Sequence, residues 1–190
     1  MGPSEKSPHS GNETPSGMML QPVGVIKSQI KEPFLAAQDD GIKMQGQFDA
    51  VREHIHEVRQ NIAEIVINED LLEILDGIDH YSHIVVLYWA HKVPARSRSL
   101  VKVHPMGRKE FPLVGLFCTC SPARPNPVLM SVVRLCGRQA NVLQVMGLDA
   151  IDGSPVIDIK PYVKHLYPQE GVLIPDWMQR ITKEIDQGIQ

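Results

Sequence analysis

The second half of the chain consists of short segments of β-branched and aromatic residues separated by turns, and this spacing limits the folds open to it. The clearest segments are residues 83–91 (HIVVLYWAH) and 142–146 (VLQVM). Similar segments cover residues 100–104, 115–120, 131–136 and 156–159. Short strands at such spacing are typical of antiparallel barrels and sandwiches, whereas a parallel sheet needs a helix between its strands. The sequence therefore predicts a mainly β protein.

A few helices and further strands are expected around these segments. Apolar residues recur every three or four positions over residues 49–61, which predicts a helix with Asp49 as its N-cap. A short helix is expected over residues 69–75 and a closing helix over residues 175–187. Two more strands are predicted over residues 23–28 and 63–68.

The length of 190 residues suits one compact domain with tails. Residues 1–18 are rich in Ser, Pro, Gly and Asn and are predicted to be a disordered tail. The domain is expected over residues 19–168, followed by a C-terminal helical extension over residues 169–190. No apolar run is long enough to cross a bilayer, and no signal segment opens the chain. We therefore expect a cytoplasmic protein that does not associate with membranes.

Basic residues concentrate in the middle of a slightly acidic chain. The net charge is −3, yet residues 91–140 carry nine Lys or Arg residues and a single acid, Glu110. A phosphate-binding surface would need such a cationic region. Because Lys and Arg also protect exposed strand edges, the charge distribution alone leaves both interpretations open.

The segment CTCSPARPNPVLMS, residues 118–131, has an unusually restricted backbone, and we call it the Pro-rich loop. Each of its three prolines fixes its own φ angle and biases the preceding residue towards extended geometry. The segment is therefore predicted to be a stiff, non-helical loop that can present Arg124 and Asn126 as binding groups. A simple connector between strands is an equally good explanation of this segment taken alone.

A second loop, residues 147–153, carries Asp149 and Asp152 and is called the acidic loop here. It ends in Gly153, which can adopt a positive φ angle at little cost. The strand that follows bears three polar residues, Asp158, Lys160 and Tyr162. The simplest interpretation is a hairpin with polar residues facing outward. The alternative is a carboxylate-bearing loop that faces the Pro-rich loop across a cleft.

The three cysteines do not suggest a disulfide framework, because their number is odd. In a strand, Cys118 and Cys120 would point to the same face, where His83 or His91 could complete a metal site. However, the chain has no CxxC or HExxH motif, and His54 and His56 on the predicted helix are more simply solvated or core-edge residues. We expect no bound metal, and a metal-binding protein is the most distant alternative.

Four segments together resemble the TsaA-like family, whose characterised members are S-adenosylmethionine-dependent methyltransferases acting on N6-threonylcarbamoyladenosine in tRNA, next to the anticodon. The segments are GVIKS (24–28), GIDHYSHIVVLYWAH (77–91), GLFCTCSPARPNP (115–127) and LDAIDGSPVIDIKPY (148–162). The resemblance covers about residues 22–165 and implies a small β-barrel with a few short peripheral helices. It also implies a homodimer with S-adenosylmethionine near the subunit interface. The chain agrees in lacking the glycine-rich turn of Rossmann-type methyltransferases.

The resemblance also implies particular cofactor contacts. The expected cofactor-binding residues are Ala36, Ala37, Gln38, His91, Lys92, Cys120, Met130, Asp149, Ala150, Ile151, Asp152 and Gly153. Several positions depart from the family pattern. Ala36 and Ala37 replace a Pro-Arg pair, Lys92 a glutamine, Cys120 an arginine, Val128-Leu129 an Ile-Gly pair and Met130 a leucine. The change at Cys120 removes a charged group that could bind in a bidentate way. Residues about 43–61 resemble an insertion relative to shorter relatives.

Methyl transfer from a sulfonium is an in-line displacement, so alignment and the exclusion of water can supply much of the catalysis. The catalytic candidates are Asp152, Asp158 and His83. The residues expected to shape the substrate pocket are Arg124, Asn126, Lys160 and Tyr162, and Tyr162 could stack on a base. tRNA is the implied partner. The alternatives are a methyltransferase of the same fold acting on another RNA or a small molecule, and a non-catalytic module that binds S-adenosylmethionine.

Overall fold

Six antiparallel strands close into a barrel, which confirms the predicted fold class. The computed structural model describes residues 19–38, 41–44 and 48–187, so the predicted tail over residues 1–18 lies outside the described residues. The strands are β1 (Gly24–Lys27), β2 (Leu35–Gln38), β3 (Gly41–Met44), β4 (Ile62–Ile67), β5 (His83–Trp89), β6 (Lys102–Val103), β7 (Val114–Gly115), β8 (Val128–Gln139), β9 (Val142–Met146) and β10 (Pro155–Pro161). The order around the barrel is β1–β10–β5–β8–β9–β4.

The barrel interior is filled by the alternate, inward-facing residues of its six strands. On β5, Ile84, Val86 and Tyr88 belong to the core, so His83, Val85 and Leu87 occupy the opposite face. Other fully buried core residues are Ile26, Ile65, Leu143 and Val156. Because each barrel strand pairs on both sides, the hydrogen bonds of this sheet are satisfied within the ring.

Strands β1 and β4 approach closely at Gly24. A Cβ atom at this position would lie 2.3 Å from the carbonyl oxygen of Val66. No side chain fits there without moving backbone, so the close pairing of β1 with β4 depends on glycine.

Two helices and two small hairpins lie outside the barrel. Helix α1 (Phe48–Gln60) precedes β4, and helix α2 (Asp176–Asp186) follows β10. The two helices are joined by His56, whose Nε2 lies 3.2 Å from the carbonyl oxygen of Ile185. Strand β2 pairs with β3, and β6 pairs with β7. None of the helices in the described part of the chain is long and apolar enough to cross a membrane.

Arg108 links these outer elements. Its guanidinium forms ion pairs with Glu110 and with Glu184 of α2, and it lies over the rings of Phe48 and Phe111. The Arg108 side chain is mostly covered, and its ion pair with Glu184 and its cation–π contact with Phe48 hold α2 near the amino end of α1.

The structure departs from several expectations about the elements. A strand was predicted over residues 115–120, but the strand present here, β7, covers only Val114 and Gly115. The chain then turns away, because Leu116–Cys118 forms a 3-10 turn. The prediction that Cys118 and Cys120 share a strand face is therefore wrong. Helix α1 begins at Phe48, so Asp49 lies in its first turn and is not its N-cap. The hairpin of β2 and β3 was not predicted, since its short strands lack a clear alternation of apolar and polar residues.

Candidate functional site

A cavity of about 490 Å³ opens at the barrel end where β5 finishes and β8 begins. Its volume lies within the usual range of small-molecule sites, and its wall is mostly apolar. Six parts of the chain form this wall: residues 30–35, one face of α1, the end of β5 with the residues that follow it, Met106, the Pro-rich loop, and the acidic loop with Ser154. The Pro-rich and acidic loops, far apart in the sequence, therefore face a common space.

The acidic loop is fastened to the end of β1. The Asp152 carboxylate accepts a hydrogen bond from the Ser28 N–H at 3.0 Å and pairs with the Lys31 ammonium at 2.8 Å. The Ser28 hydroxyl in turn donates to the carbonyl oxygen of Ala150 at 2.7 Å. Gly153 has a φ angle of 79°, as its place in the turn predicted. These contacts hold Asp149, Ala150 and Ile151 in the cavity wall.

Asp152 itself lies beside the wall rather than in it. The hydrogen bond from Lys31 and then that from the Ser28 N–H lower the pKa of its carboxyl. The group is thus an ionised carboxylate whose two oxygens are already engaged, and its contacts position the loop.

Asp149 is in a different environment. The Asp149 residue is exposed to the cavity. The protein atoms around its carboxyl group nevertheless displace much of the water that would hydrate it, and this desolvation raises the pKa of the carboxyl. His54 opposes the shift to a smaller extent. No described residue donates a hydrogen bond to this carboxylate. It is available to a ligand.

Tyr88 lies behind Asp149. Its hydroxyl donates to the Asp149 carbonyl oxygen at 2.5 Å and is 3.4 Å from the Ser131 hydroxyl. Burial raises the pKa of Tyr88 to about 12, so the phenol remains protonated near neutral pH. The side chain thus fixes the backbone of the acidic loop and does not act as a base.

The Pro-rich loop is held by its own hydrogen bonds. The Thr119 hydroxyl donates to the Leu116 carbonyl oxygen at 2.8 Å, and Arg124 Nη1 donates to the Thr119 carbonyl oxygen at 3.0 Å. The Ala90 N–H donates to the carbonyl oxygen of Pro127 at 2.8 Å, which ties the loop to the end of β5. Arg124 lines the cavity and its guanidinium lies 5.5 Å from the ring centre of Phe117. Asn126 is exposed and lies outside the wall.

Helix α1 supplies one wall that the sequence did not indicate. Its residues Val51, His54 and Ile55 line the cavity, and the His54 ring stacks on Phe34 with a centroid separation of 3.9 Å. Both rings and Tyr88 were missed as site residues. The only signal was the position of His54 on the apolar stripe of the helix, and the same stripe is expected of any helix that covers a core.

The expected cofactor-binding residues are partly gathered here. Those in the wall are Lys92, Cys120, Met130, Asp149, Ala150 and Ile151. Ala36 follows the wall residue Leu35, and the side chains of Ala37 and Gln38 lie outside the described part of the structure. Gly153 directly precedes the wall residue Ser154.

His91 and Lys92 have partners at the cavity rim. His91 Nδ1 lies 3.2 Å from the hydroxyl oxygen of Ser154, and desolvation, assisted by Lys92, lowers the pKa of the imidazole. The Lys92 ammonium is 2.7 Å from a carboxylate oxygen of Glu32. Its charge is therefore partly compensated before any ligand binds.

Other predicted residues lie on the outer face of the barrel. His83, Asp158, Lys160 and Tyr162 are outside the cavity wall, and Asp158 pairs with Lys160 at 2.5 Å. The structure therefore does not bring the three catalytic candidates, Asp152, Asp158 and His83, together. The three cysteines are free and exposed, and no group of three or more metal-ligating side chains occurs within the described ranges.

Known proteins match this chain over most of its length. The sequence profile of the tRNA-methyltransferase O N-terminal domain matches residues 46–166. A probable S-adenosyl-L-methionine-binding protein of Methanothermobacter thermautotrophicus is 40% identical over 149 residues, which cover 77% of this chain and 91% of that protein. The tRNA (adenine(37)-N6)-methyltransferase of Escherichia coli is 28% identical over 153 residues, 78% of this chain and 59% of that protein.

Among solved structures, TrmO from Pseudomonas aeruginosa matches with a TM-score of 0.59 and 26% identity. The match covers 83% of this chain and 61% of that chain. The chain thus spans about three fifths of the length of the Escherichia coli methyltransferase and of Pseudomonas aeruginosa TrmO.

Proposed function

Because the chain belongs to the family of the tRNA-methyltransferase O N-terminal domain, we propose that it binds S-adenosylmethionine in the cavity and transfers the methyl group to an adenine of tRNA. The finer proposal is that the acceptor is N6-threonylcarbamoyladenosine next to the anticodon. The observation that carries the proposal is the meeting of the Pro-rich and acidic loops at one mostly apolar cavity.

The residues of the cavity fit the chemistry of the cofactor. A desolvated carboxylate with no hydrogen-bond donor among the described residues, such as Asp149, favours a ligand that brings a cation or hydroxyl groups. S-adenosylmethionine has an ammonium group, ribose hydroxyls and a positive sulfur. The apolar wall and the stacked rings of Phe34 and His54 suit its adenine. When bound, the cofactor supplies an electrophilic methyl group.

The protein would contribute mainly alignment and the exclusion of water. The acidic loop is fixed by Asp152 and Tyr88, and the Pro-rich loop by its contacts with β5, so little ordering is needed on binding. Arg124 at the wall provides a positive charge for an anionic RNA. The nitrogen between adenine and a carbamoyl group is fairly acidic, so a weak base can accept its proton.

We also propose that the active species is a cytoplasmic homodimer. Apolar side chains are exposed beside the cavity: Phe117 is 78% exposed and packs on the wall residue Arg124, and Met130 in the wall is 61% exposed. A second copy that covered these residues would also narrow the cavity opening. Exposed apolar clusters of this kind commonly mark interfaces.

A non-catalytic module that binds S-adenosylmethionine is the second candidate. It is favoured by the location of Asp158 and His83 outside the wall and by the engaged carboxylate of Asp152. Such a module would bind the cofactor with normal stoichiometry and transfer nothing.

Methyl transfer from labelled S-adenosylmethionine tests the proposal. The protein is incubated with tRNA carrying N6-threonylcarbamoyladenosine and, as the matched control, with the same tRNA lacking the threonylcarbamoyl group. Label on the modified tRNA alone supports the finer proposal, and label on both supports tRNA methylation that does not require the threonylcarbamoyl group. Calorimetric binding of the cofactor without label on any RNA would support the non-catalytic module. Absence of binding would reject the proposed cofactor.

A further inference from the structure

The outer face of β10, β5 and β8 carries a row of polar and aromatic side chains that the cavity does not use. His83 of β5 is paired in register with Arg134 of β8, and the Tyr162 N–H donates to the His83 carbonyl oxygen at 3.1 Å. Ile84, next to His83, points into the core, so His83 and its cross-strand neighbours face outward. Tyr162, His83 and Arg134 therefore lie side by side across three strands.

Aromatic rings are grouped on this face. Tyr162 and Tyr167 stack with ring centroids 4.9 Å apart and an interplanar angle of 17°. His83 meets Tyr162 edge-on, with centroids 6.4 Å apart. None of the three rings belongs to the buried core. The group is thus a partly exposed aromatic platform held by the chain itself.

Positive charge surrounds the platform. Lys160 precedes Tyr162 by two residues on the same face of β10, and Lys164 and His165 lie in the 3-10 turn before Tyr167. Asp158, the acid on the same face of β10, is paired with Lys160. Within the described ranges no acidic side chain pairs with Arg134 or Lys164. The face therefore carries uncompensated positive charge.

The platform is connected to the cavity by strand β8. Arg134 lies four residues from Met130, which lines the cavity, a distance of about 13 Å along a strand. Between them on the outer face of β8 is Val132, which is 43% exposed, whereas its cross-strand neighbour Val85 on β5 is buried. A ligand with a charged backbone and flat apolar rings could follow this surface from the cavity rim to the platform.

We propose that His83, Arg134, Lys160, Tyr162, Lys164 and Tyr167 form a second RNA-binding site, the outer-face site, which holds an unpaired segment of the RNA whose target adenine occupies the cavity. The inference rests on the proposed function. Bases of unpaired RNA stack on aromatic rings, and their phosphates bind Lys and Arg. A second copy of this chain is a poorer occupant, because a two-fold contact through this face would bring the like charges of Arg134, Lys160 and Lys164 together.

Fluorescence anisotropy with a labelled anticodon stem-loop RNA tests the site in the full chain. The double variant Arg134→Ala/Lys164→Ala should weaken RNA binding and lower the slope of log Kd against log salt by about 0.7 for each lost phosphate contact. Tyr167→Leu should weaken binding at least about 5-fold through lost stacking, and Tyr167→Phe should restore it. Lys183→Ala on exposed α2 is the matched control and should leave Kd unchanged. A fully paired RNA duplex should bind more weakly than the stem-loop.

Cofactor affinity, folding and oligomeric state are measured beside RNA affinity, so that the possible outcomes can be told apart. Calorimetry with S-adenosylmethionine should give the same affinity for all variants, and circular dichroism should show that they remain folded. Unchanged RNA affinity in folded variants that still bind the cofactor would overturn the outer-face site while leaving the proposed function intact. A change from dimer to monomer in the Arg134→Ala/Lys164→Ala variant would also overturn it, because the face would then be an interface between copies. Loss of cofactor binding in the unchanged protein would instead reject the proposed function.

Discussion

Two carboxylates of the acidic loop, three residues apart, are placed in opposite electrostatic environments. Asp149 faces the cavity, where desolvation raises the pKa of its carboxyl. Asp152 is bound by Lys31 and the Ser28 N–H, which lower the pKa of its carboxyl. Because the two shifts have opposite signs, the two groups contribute to stability in opposite directions as the pH changes.

Asp149→Asn should raise the stability of the ligand-free protein at neutral pH. The folded state holds the Asp149 proton more tightly than the unfolded state, so stability falls as the pH rises through its pKa values, and the amide removes this loss. The gain should vanish below the ordinary pKa of aspartate, about 3.9. If the carboxylate binds the cofactor, the same variant should bind S-adenosylmethionine about 10- to 100-fold more weakly. Thermal unfolding across pH and calorimetry provide the two readouts, and unchanged affinity would remove Asp149 from the binding site.

Asp152→Ala should lower stability at neutral pH. The carboxyl has a lowered pKa in the folded state, so its contribution is present above the ordinary pKa of aspartate and is lost as the pH falls through the lowered value. The stability deficit of Asp152→Ala relative to the unchanged protein should therefore shrink in acid. The stability gain of Asp149→Asn should also shrink in acid, so the two variants differ in sign at neutral pH and converge at low pH. Asp70→Ala, which removes an exposed acid, is the control. Equal melting temperatures of Asp152→Ala and the control at pH 7 would show that the loop is held by other contacts.

At the scale of elements, the barrel depends on how closely its strands approach. A Cβ atom added at Gly24 of β1 would lie 2.3 Å from the carbonyl oxygen of Val66. A Cβ atom added at Gly115 would meet no neighbouring atom within 4 Å. The two glycines therefore make different demands on the chain, although both occur in segments with strand-like sequence.

Gly24→Ala should destabilise the protein by about 1–3 kcal/mol or more, because the added methyl group forces β1 away from β4. Gly115→Ala, the matched control, should be neutral or slightly stabilising, since the alanine also restricts the unfolded chain. Urea unfolding measures both, and the slope m should stay constant. Equal midpoints for the two variants would contradict the close approach at Gly24.

Elements with strong periodicity were predicted well from the sequence. The predicted strand over residues 83–91 corresponds to β5 (His83–Trp89), and the predicted helix over residues 49–61 to α1 (Phe48–Gln60). The segment 115–120 was wrongly predicted as a strand, because the local hydrogen bond of Thr119 to Leu116 and the following proline favour a turn over a β ladder. A prediction from β-branched and aromatic content alone does not take account of such local hydrogen bonds, which compete with strand pairing.

The site was predicted in part, for a comparable reason. The Pro-rich and acidic loops carry their chemistry in consecutive residues, so the sequence displays it directly. Phe34, His54 and Tyr88 reach the cavity only through the packing of residues 30–35 and α1 against the barrel end. Their local sequence is that of ordinary core residues. Membership of the TsaA-like family, inferred from the loop motifs, is confirmed, and the boundary at residue 168 and the roles of individual residues stay predictions.

At the scale of the whole molecule, exposed apolar side chains occur in several regions of the described chain, and two of them allow a matched comparison. Phe117 adjoins the cavity through Arg124, and Leu173, which is 94% exposed, lies outside the wall in the segment before α2. Of these two residues, Phe117 is the one placed to couple association of two copies to ligand binding.

Phe117→Ser should therefore shift the protein from dimer to monomer and weaken the binding of S-adenosylmethionine. The expected interface loses a large aromatic contact there, the type of residue that commonly dominates interface energies. Leu173→Ser is the matched control and should change neither property. Sedimentation velocity and calorimetry measure the two effects. A monomer in the unchanged protein, or a dimer insensitive to Phe117→Ser, would contradict this interface.

The ring of strands also determines when the protein can become functional during its synthesis. Strand β1 pairs with β10, so residues 24–25 must wait for residues 155–156 before the ring can close. A nascent chain on the ribosome cannot complete that pairing until β10 has left the exit tunnel, and contacts so distant in sequence form slowly. Until then the acidic loop has no closed barrel to rest on. The growing polypeptide should thus be unable to capture its methyl donor before β10 has left the ribosome.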